Sequence, residues 1–93
     1  MNKYQLLYIV DNGLADEAKS EIVNKFSALI ESLGGVVDAI DKWGTKKLAY
    51  EIGGKREGYY VLVKFAAEST VPAEIERQMK INESIVRQMI TRI

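Results

Sequence analysis

The chain has no cysteine and no histidine, and its single proline is Pro72. Without cysteine there is no disulfide scaffold, no thiolate zinc site and no cysteine nucleophile. Without histidine the usual general base and the commonest transition-metal ligand are both missing. Long hydrophobic runs are scarce as well. The opening stretch MNKYQLLYIVDNG holds only a few consecutive apolar residues before Asp11, too short for a signal-peptide core or a membrane span. The expected location is the cytosol. An excess of charge of either sign is also lacking, because 13 lysines and arginines balance 13 aspartates and glutamates. At 93 residues the chain is expected to form one domain, 1–93, with a core that needs no metal or disulfide to hold it.

The balanced charge is unevenly distributed. From Asp11 to Asp41 seven acidic residues stand against Lys19 and Lys25 alone. From Lys42 to Arg56 the sign reverses, with Lys42, Lys46, Lys47, Lys55 and Arg56 against Glu51. From Arg77 to Arg92 it is basic again, with Arg77, Lys80, Arg87 and Arg92 against Glu83. A neutral protein with separated acidic and basic regions can take a polyanion on one side, though not tightly by charge alone.

Hydrophobic periodicity orders the chain into six elements. Tyr4, Leu6, Tyr8 and Val10 alternate with Gln5, Leu7 and Ile9, a strand apolar on both faces and therefore central. Asp11-Asn12-Gly13 reads as a turn that also offers helix caps. Ala18, Ile22, Phe26, Leu29, Ile30 and Leu33 then recur at spacings of three and four, which predicts an amphipathic helix over about 14–33 ended by Gly34-Gly35. Asp16, Glu17 and Glu21 near its start suit solvation and the helix dipole rather than catalysis. A strand from Val36 runs through a bend at Gly44 into Leu48, Tyr50 and Ile52. Past Gly53-Gly54, the strand Tyr59, Val61, Val63, Phe65 completes a hairpin. Pro72 opens a second helix with Val71, Ile75 and Met79 on one face. A last strand has Ile85, Arg87, Met89, Thr91 and Ile93 on one face and Val86, Gln88, Ile90 and Arg92 on the other. The order βαββαβ predicts an α+β, ferredoxin-like fold: a four-stranded antiparallel sheet with two helices on one face and the other face open. Strands one and three are then central, and the basic strands two and four are the edges.

The stretch WGTKKLAYEIGGKREGYY, 43–60, concentrates paired cations, aromatics and glycines. Cations neutralise phosphates and rings stack on unpaired bases, so this composition points to RNA. Gly53-Gly54-Lys55-Arg56 lacks the spacing of a phosphate loop and opens no helix, which leaves it a hairpin turn. The third strand fits the RNA-recognition-motif consensus poorly, since Glu57 intrudes and Val61 and Val63 replace spaced aromatics. Alternation also directs Tyr59, Val61, Val63 and Phe65 to the core. No convergent acid-base pair is present, so no catalytic residue, metal site or cofactor is assigned.

Trp43-Gly44, Lys46-Lys47-Leu48-Ala49-Tyr50, Ile52, Lys55 and Gly58-Tyr59-Tyr60 resemble the signature of the bacterial small-subunit ribosomal protein S six family. The close, Lys80-Ile81-Asn82-Glu83-Ser84-Ile85-Val86-Arg87-Gln88-Met89, is similar to that family's ending, and the likeness covers nearly the whole chain. Asn12 departs from it, standing where a proline is common. The resemblance implies a non-enzymatic component of the small (30S) ribosomal subunit that binds 16S rRNA, in its central domain, together with small-subunit ribosomal protein eighteen. No membrane and no small-molecule substrate is implied. RNA contact is carried onto Lys46, Lys47, Lys55, Arg56, Arg87 and Arg92. Trp43 and Tyr50 are expected to shape the edge of strand two, and they and Tyr60 are further candidates for RNA or partner contact. The competing expectations are a ferredoxin-like small-molecule-binding module and a stand-alone RNA-binding module, the latter requiring exposed aromatics on strands one and three.

Overall fold

In the computed structural model the chain forms β1 (Asn2–Asp11), α1 (Asp16–Ser32), β2 (Val36–Ile52), β3 (Lys55–Ala67), α2 (Val71–Lys80) and β4 (Ile85–Arg92). The structure describes residues 1–52 and 55–93, and the side chains of 49–56 lie outside the described residues. The four strands are antiparallel neighbours in the order β2-β3-β1-β4. This is the expected ferredoxin-like arrangement, with β1 and β3 central.

Alternation in the central strands builds the core. Tyr4, Leu6, Tyr8 and Val10 of β1 and Val61, Val63, Phe65 and Ala67 of β3 are buried on the helix side of the sheet. They meet Val23, Phe26 and Ile30 of α1 and Val71, Ile75 and Met79 of α2. Tyr4 stacks on Phe65 with ring centroids 5.6 Å apart, and Tyr8 tilts against Phe26 at 6.0 Å. Burial pushes the Tyr8 hydroxyl above its ordinary range, aided by the neighbouring Tyr59, so Tyr8 acts as a neutral core aromatic. Among the described residues no helix is long and apolar enough to cross a membrane.

Helix α1 is shorter than its periodicity suggested and turned slightly about its axis. The buried stripe is Lys19, Val23, Phe26 and Ile30, with Ile22 and Leu29 partly buried beside it. Leu33 sits at the C-cap, where Gly34 turns the chain at φ 84°, and is 37% exposed. The Asp11-Asn12-Gly13 cluster does not cap the helix. Ala15 occupies the N-cap with no side-chain cap bond. Asp11 Oδ1 instead accepts the Gly13 N–H at 2.9 Å, an Asx turn, and Asn12 reaches elsewhere. On α2, Arg77 donates two hydrogen bonds to Glu74, at 3.0 and 2.6 Å, which hold the Glu74 carboxyl down at about 2.

Among the register shifts of the described strands, two bear on the candidate residues. The β2–β3 register shifts between Lys42 and Gly44, and Gly44 takes φ 84°, so Trp43 is the extra residue of a bulge. The β1–β4 register shifts between Ile9 and Val10, whose partners are Arg87 and Ile85. Val86 is thereby skipped. That single extra residue flips the parity of β4, placing Ile85 and Ile90 against the core and Arg87 and Met89 on the open face. The strict alternation expected for 85–93 is therefore corrected: Ile85 and Arg87 do not share a face.

Candidate nucleic-acid interface

The open face of the sheet is apolar along its middle. Leu7 and Ile9 of β1, Tyr60 of β3, and Arg87, Gln88 and Met89 of β4 line one shallow groove. Ile9 is buried, and both it and Leu48 approach the space above Gly58. Gly58 lies opposite Lys46, and a Cβ built there would stand 2.2 Å from Ile9 Cγ2 and 3.4 Å from Leu48 Cδ2. Only a residue without a side chain leaves Ile9 this space at the sheet surface. Gly58→Ala is expected to cost about 1–3 kcal/mol through overpacking, read as a lowered midpoint in thermal unfolding. An unchanged midpoint would show that Ile9 moves aside freely.

Pairing across the strands sets the candidate residues in one row. Ile9 pairs with Arg87 on one side and with Tyr60 on the other, and Tyr60 pairs with Gly44. At about 4.8 Å per strand the row crosses roughly 14 Å of sheet. At its β2 end Trp43 stacks on Tyr60, with centroids 6.4 Å apart and planes within 10°. Lys46 Nζ lies over the Trp43 ring, 4.9 Å from its centroid, and the indole N–H donates to Asp41 Oδ2 at 3.0 Å. The bulge at Trp43 and the glycine beside it thus swing an indole onto the sheet face, where it holds a lysine ammonium in place. Lys46, Lys47 and Arg87 are all exposed, and Lys47 lies opposite Glu57.

The structure brings together Lys46, Trp43, Tyr60 and Arg87 on the open face, turns Lys47 to the other face of β2 beside Glu57, and leaves Arg92 apart. Arg92 pairs with Tyr4 at the far end of β1 and donates to Asn2 Oδ1 at 2.8 Å. Five residues of strand separate it from Arg87, about 17 Å. The side chains of Tyr50, Lys55 and Arg56 lie outside the described residues. The aromatics required by a stand-alone RNA-recognition surface are turned away from the open face: Tyr4, Tyr8 and Phe65 are buried, and Tyr59 packs half-buried against the core. Tyr60 is the exception, and Trp43 covers it.

Sequence reasoning missed the polar cluster at the base of the hairpin, formed by Asn12, Lys19, Thr45 and Glu57. A signal was present. Lys19, Val23, Phe26 and Ile30 follow the 4-3-4 spacing of a helix stripe, so Lys19 stands where an apolar residue belongs.

A family model described as Ribosomal protein S6 matches residues 3–92. The chain belongs to the ribosomal protein S6 family. It is 47% identical over 93 residues to small ribosomal subunit protein bS6 of Alkaliphilus metalliredigens, covering 100% of this chain and 98% of that one. The bS6 protein of Moorella thermoacetica is 42% identical over the same length, covering 95% of the relative. Among solved structures, the 30S ribosomal protein S6 of Thermotoga maritima superposes with a TM-score of 0.95 at 25% identity, covering 99% of this chain and 87% of that one. As an S6-family protein the chain is a component of the small ribosomal subunit and resides in the ribosome, in the cytoplasm. RNA binding and a part in translation follow from that place. The family is structural, and association with ribosomal RNA and neighbouring ribosomal proteins belongs to its role.

Proposed function

We propose that this protein binds the central domain of 16S rRNA jointly with small-subunit protein eighteen, through the hairpin and the open-face row. The observation that carries the reading is the row itself. It places the exposed Lys46, seated on Trp43, and the exposed Arg87 on the open face of the sheet, with the exposed Lys47 next to Lys46 on the other face of β2. Lys55 and Arg56 extend the same basic stretch in sequence. Arg92 plays a lesser part, at the far end of the sheet. The acidic residues of α1 are exposed on the helix layer, which lies on the other side of the sheet from the open face. A net-neutral domain gains little from counterion release on its own, which is why the reading includes a second protein to share the RNA.

Binding of the whole chain to a central-domain RNA fragment, measured with and without protein eighteen at two salt concentrations, tests the proposal. Tight binding only with the partner is expected, weakening as salt rises with a log–log slope of about −0.7 to −0.9 per phosphate contact. Binding that is equally weak with and without the partner would reject it.

A further inference from the structure

Asn12 belongs to the turn between β1 and α1, yet its side chain reaches three other elements. Its Oδ1 accepts from Lys19 Nζ of α1 at 3.1 Å and from Thr45 Oγ1 of β2 at 2.7 Å. Its Nδ2 donates to Glu57 Oε2 of β3 at 3.5 Å, a long bond. Lys19 is buried for a lysine, at 8% exposure, and its ammonium lies 5.2 Å from the Tyr59 ring centroid and 3.9 Å from Asp16 Oδ1. A cation so desolvated stays only where such partners hold it, and Asn12 supplies its short hydrogen bond. The other ends of the cluster fall at one place. Thr45 immediately precedes Lys46, and Glu57 pairs with Lys47, the last pair before the β2–β3 register becomes irregular on the way to Ile52 and Lys55.

We propose that Asn12 is a positioning residue for RNA binding: its amide locks the base of the β2–β3 hairpin to helix α1, so that Lys46 and Lys47 meet the phosphate backbone as a preset pair. This rests on the reading that those lysines contact RNA. A lock at the hairpin base removes motion that binding would otherwise have to freeze, so its benefit appears only through the lysines it orients.

The test uses the full chain in two measurements. Asn12→Ala is expected to speed amide hydrogen exchange at 45–47 and 57–59 by about tenfold while leaving Val23 to Ile30 of α1 unchanged. In RNA binding with protein eighteen, the loss caused by Lys46→Ala/Lys47→Ala is expected to be about threefold or more smaller in the Asn12→Ala background than in the native one, since coupled groups are not additive. Thr45→Val, nearly isosteric, cuts the clamp from the other side and serves for both measurements should Asn12→Ala fail to fold. Unchanged exchange, or equal lysine losses in both backgrounds, overturns the clamp. If the lysine pair has no effect in either background while exchange accelerates, the RNA reading of the lysines is what fails, and the positioning role falls with it.

Discussion

Phe26→Ala is expected to lower the unfolding free energy by about 3–5 kcal/mol. Phe26 is 1% exposed at the middle of α1, its ring against Tyr8 and within the cluster that joins both helices to the sheet. Removing it loses the transfer energy of the ring and leaves a cavity, because the sheet on one side and α2 on the other cannot both follow the retreating surface. In a domain of this size each kcal/mol is worth about 4–8 °C of midpoint, and total stability is about 5–15 kcal/mol, so the variant should stand near the edge of folding at physiological temperature. Leu33→Ala is the matched control. The periodicity of the sequence puts both residues on one stripe, but Leu33 lies at the C-cap, 37% exposed, and its loss is expected to fall within about 0.5 kcal/mol, as for surface changes. Chemical denaturation of the two variants reads the difference directly. A loss below about 1 kcal/mol for Phe26→Ala would mean that the core closes over the gap and that α1 is not anchored as described.

That contrast shows what periodicity conveys and what it leaves open. The order of elements, the central places of β1 and β3 and the apolar face of α2 were all legible, because alternation and the 3-4 spacing are repeated over many residues and one misfit does not disturb them. What depends on a single residue was not. One skipped residue at Val86 flips the faces of β4, and nothing local in Ile85-Val86-Arg87 marks it. The bulge at Trp43 was better signalled, since Gly44 at positive φ is the kind of position glycine fills. Lys19 shows the limit most clearly. Its burial depends on an amide from the preceding turn and a ring from β3, and neither is near it in a helical projection. For the interface, the basic and aromatic residues could be named from composition. Their assembly into a row, with Arg87 in it and Arg92 outside it, required the strand register.

Replacing Lys46 and Lys47 together with alanine is expected to weaken RNA binding by about 10- to 100-fold near 0.1 M salt while leaving the fold intact. The estimate follows from counterion release: two phosphate contacts at about 0.9 slope units each shift log K by roughly 1.8 for a tenfold dilution of salt from 1 M. The slope itself should fall by about one unit per lost contact, and the weakening should be similar for unrelated RNA sequences, because an ammonium on a phosphate reads no base. The fold should be insensitive because both side chains are exposed. The two lysines should not contribute equally. Lys46 is held over Trp43, 4.9 Å from the ring centroid, so part of its ordering cost is already met before RNA arrives. Lys47 stands opposite Glu57, whose carboxylate offsets part of its field. Lys46→Ala alone should therefore account for the larger share of the loss, and Trp43→Ala should reproduce part of that share without changing the salt slope, since the charge remains. A double variant that binds as tightly as the native chain, with the same slope, would remove Lys46 and Lys47 from the interface and leave Arg87, Lys55 and Arg56 to carry it. A Trp43 variant whose slope falls with its affinity would instead mean that Lys46 reaches its phosphate only while the indole is there to direct it.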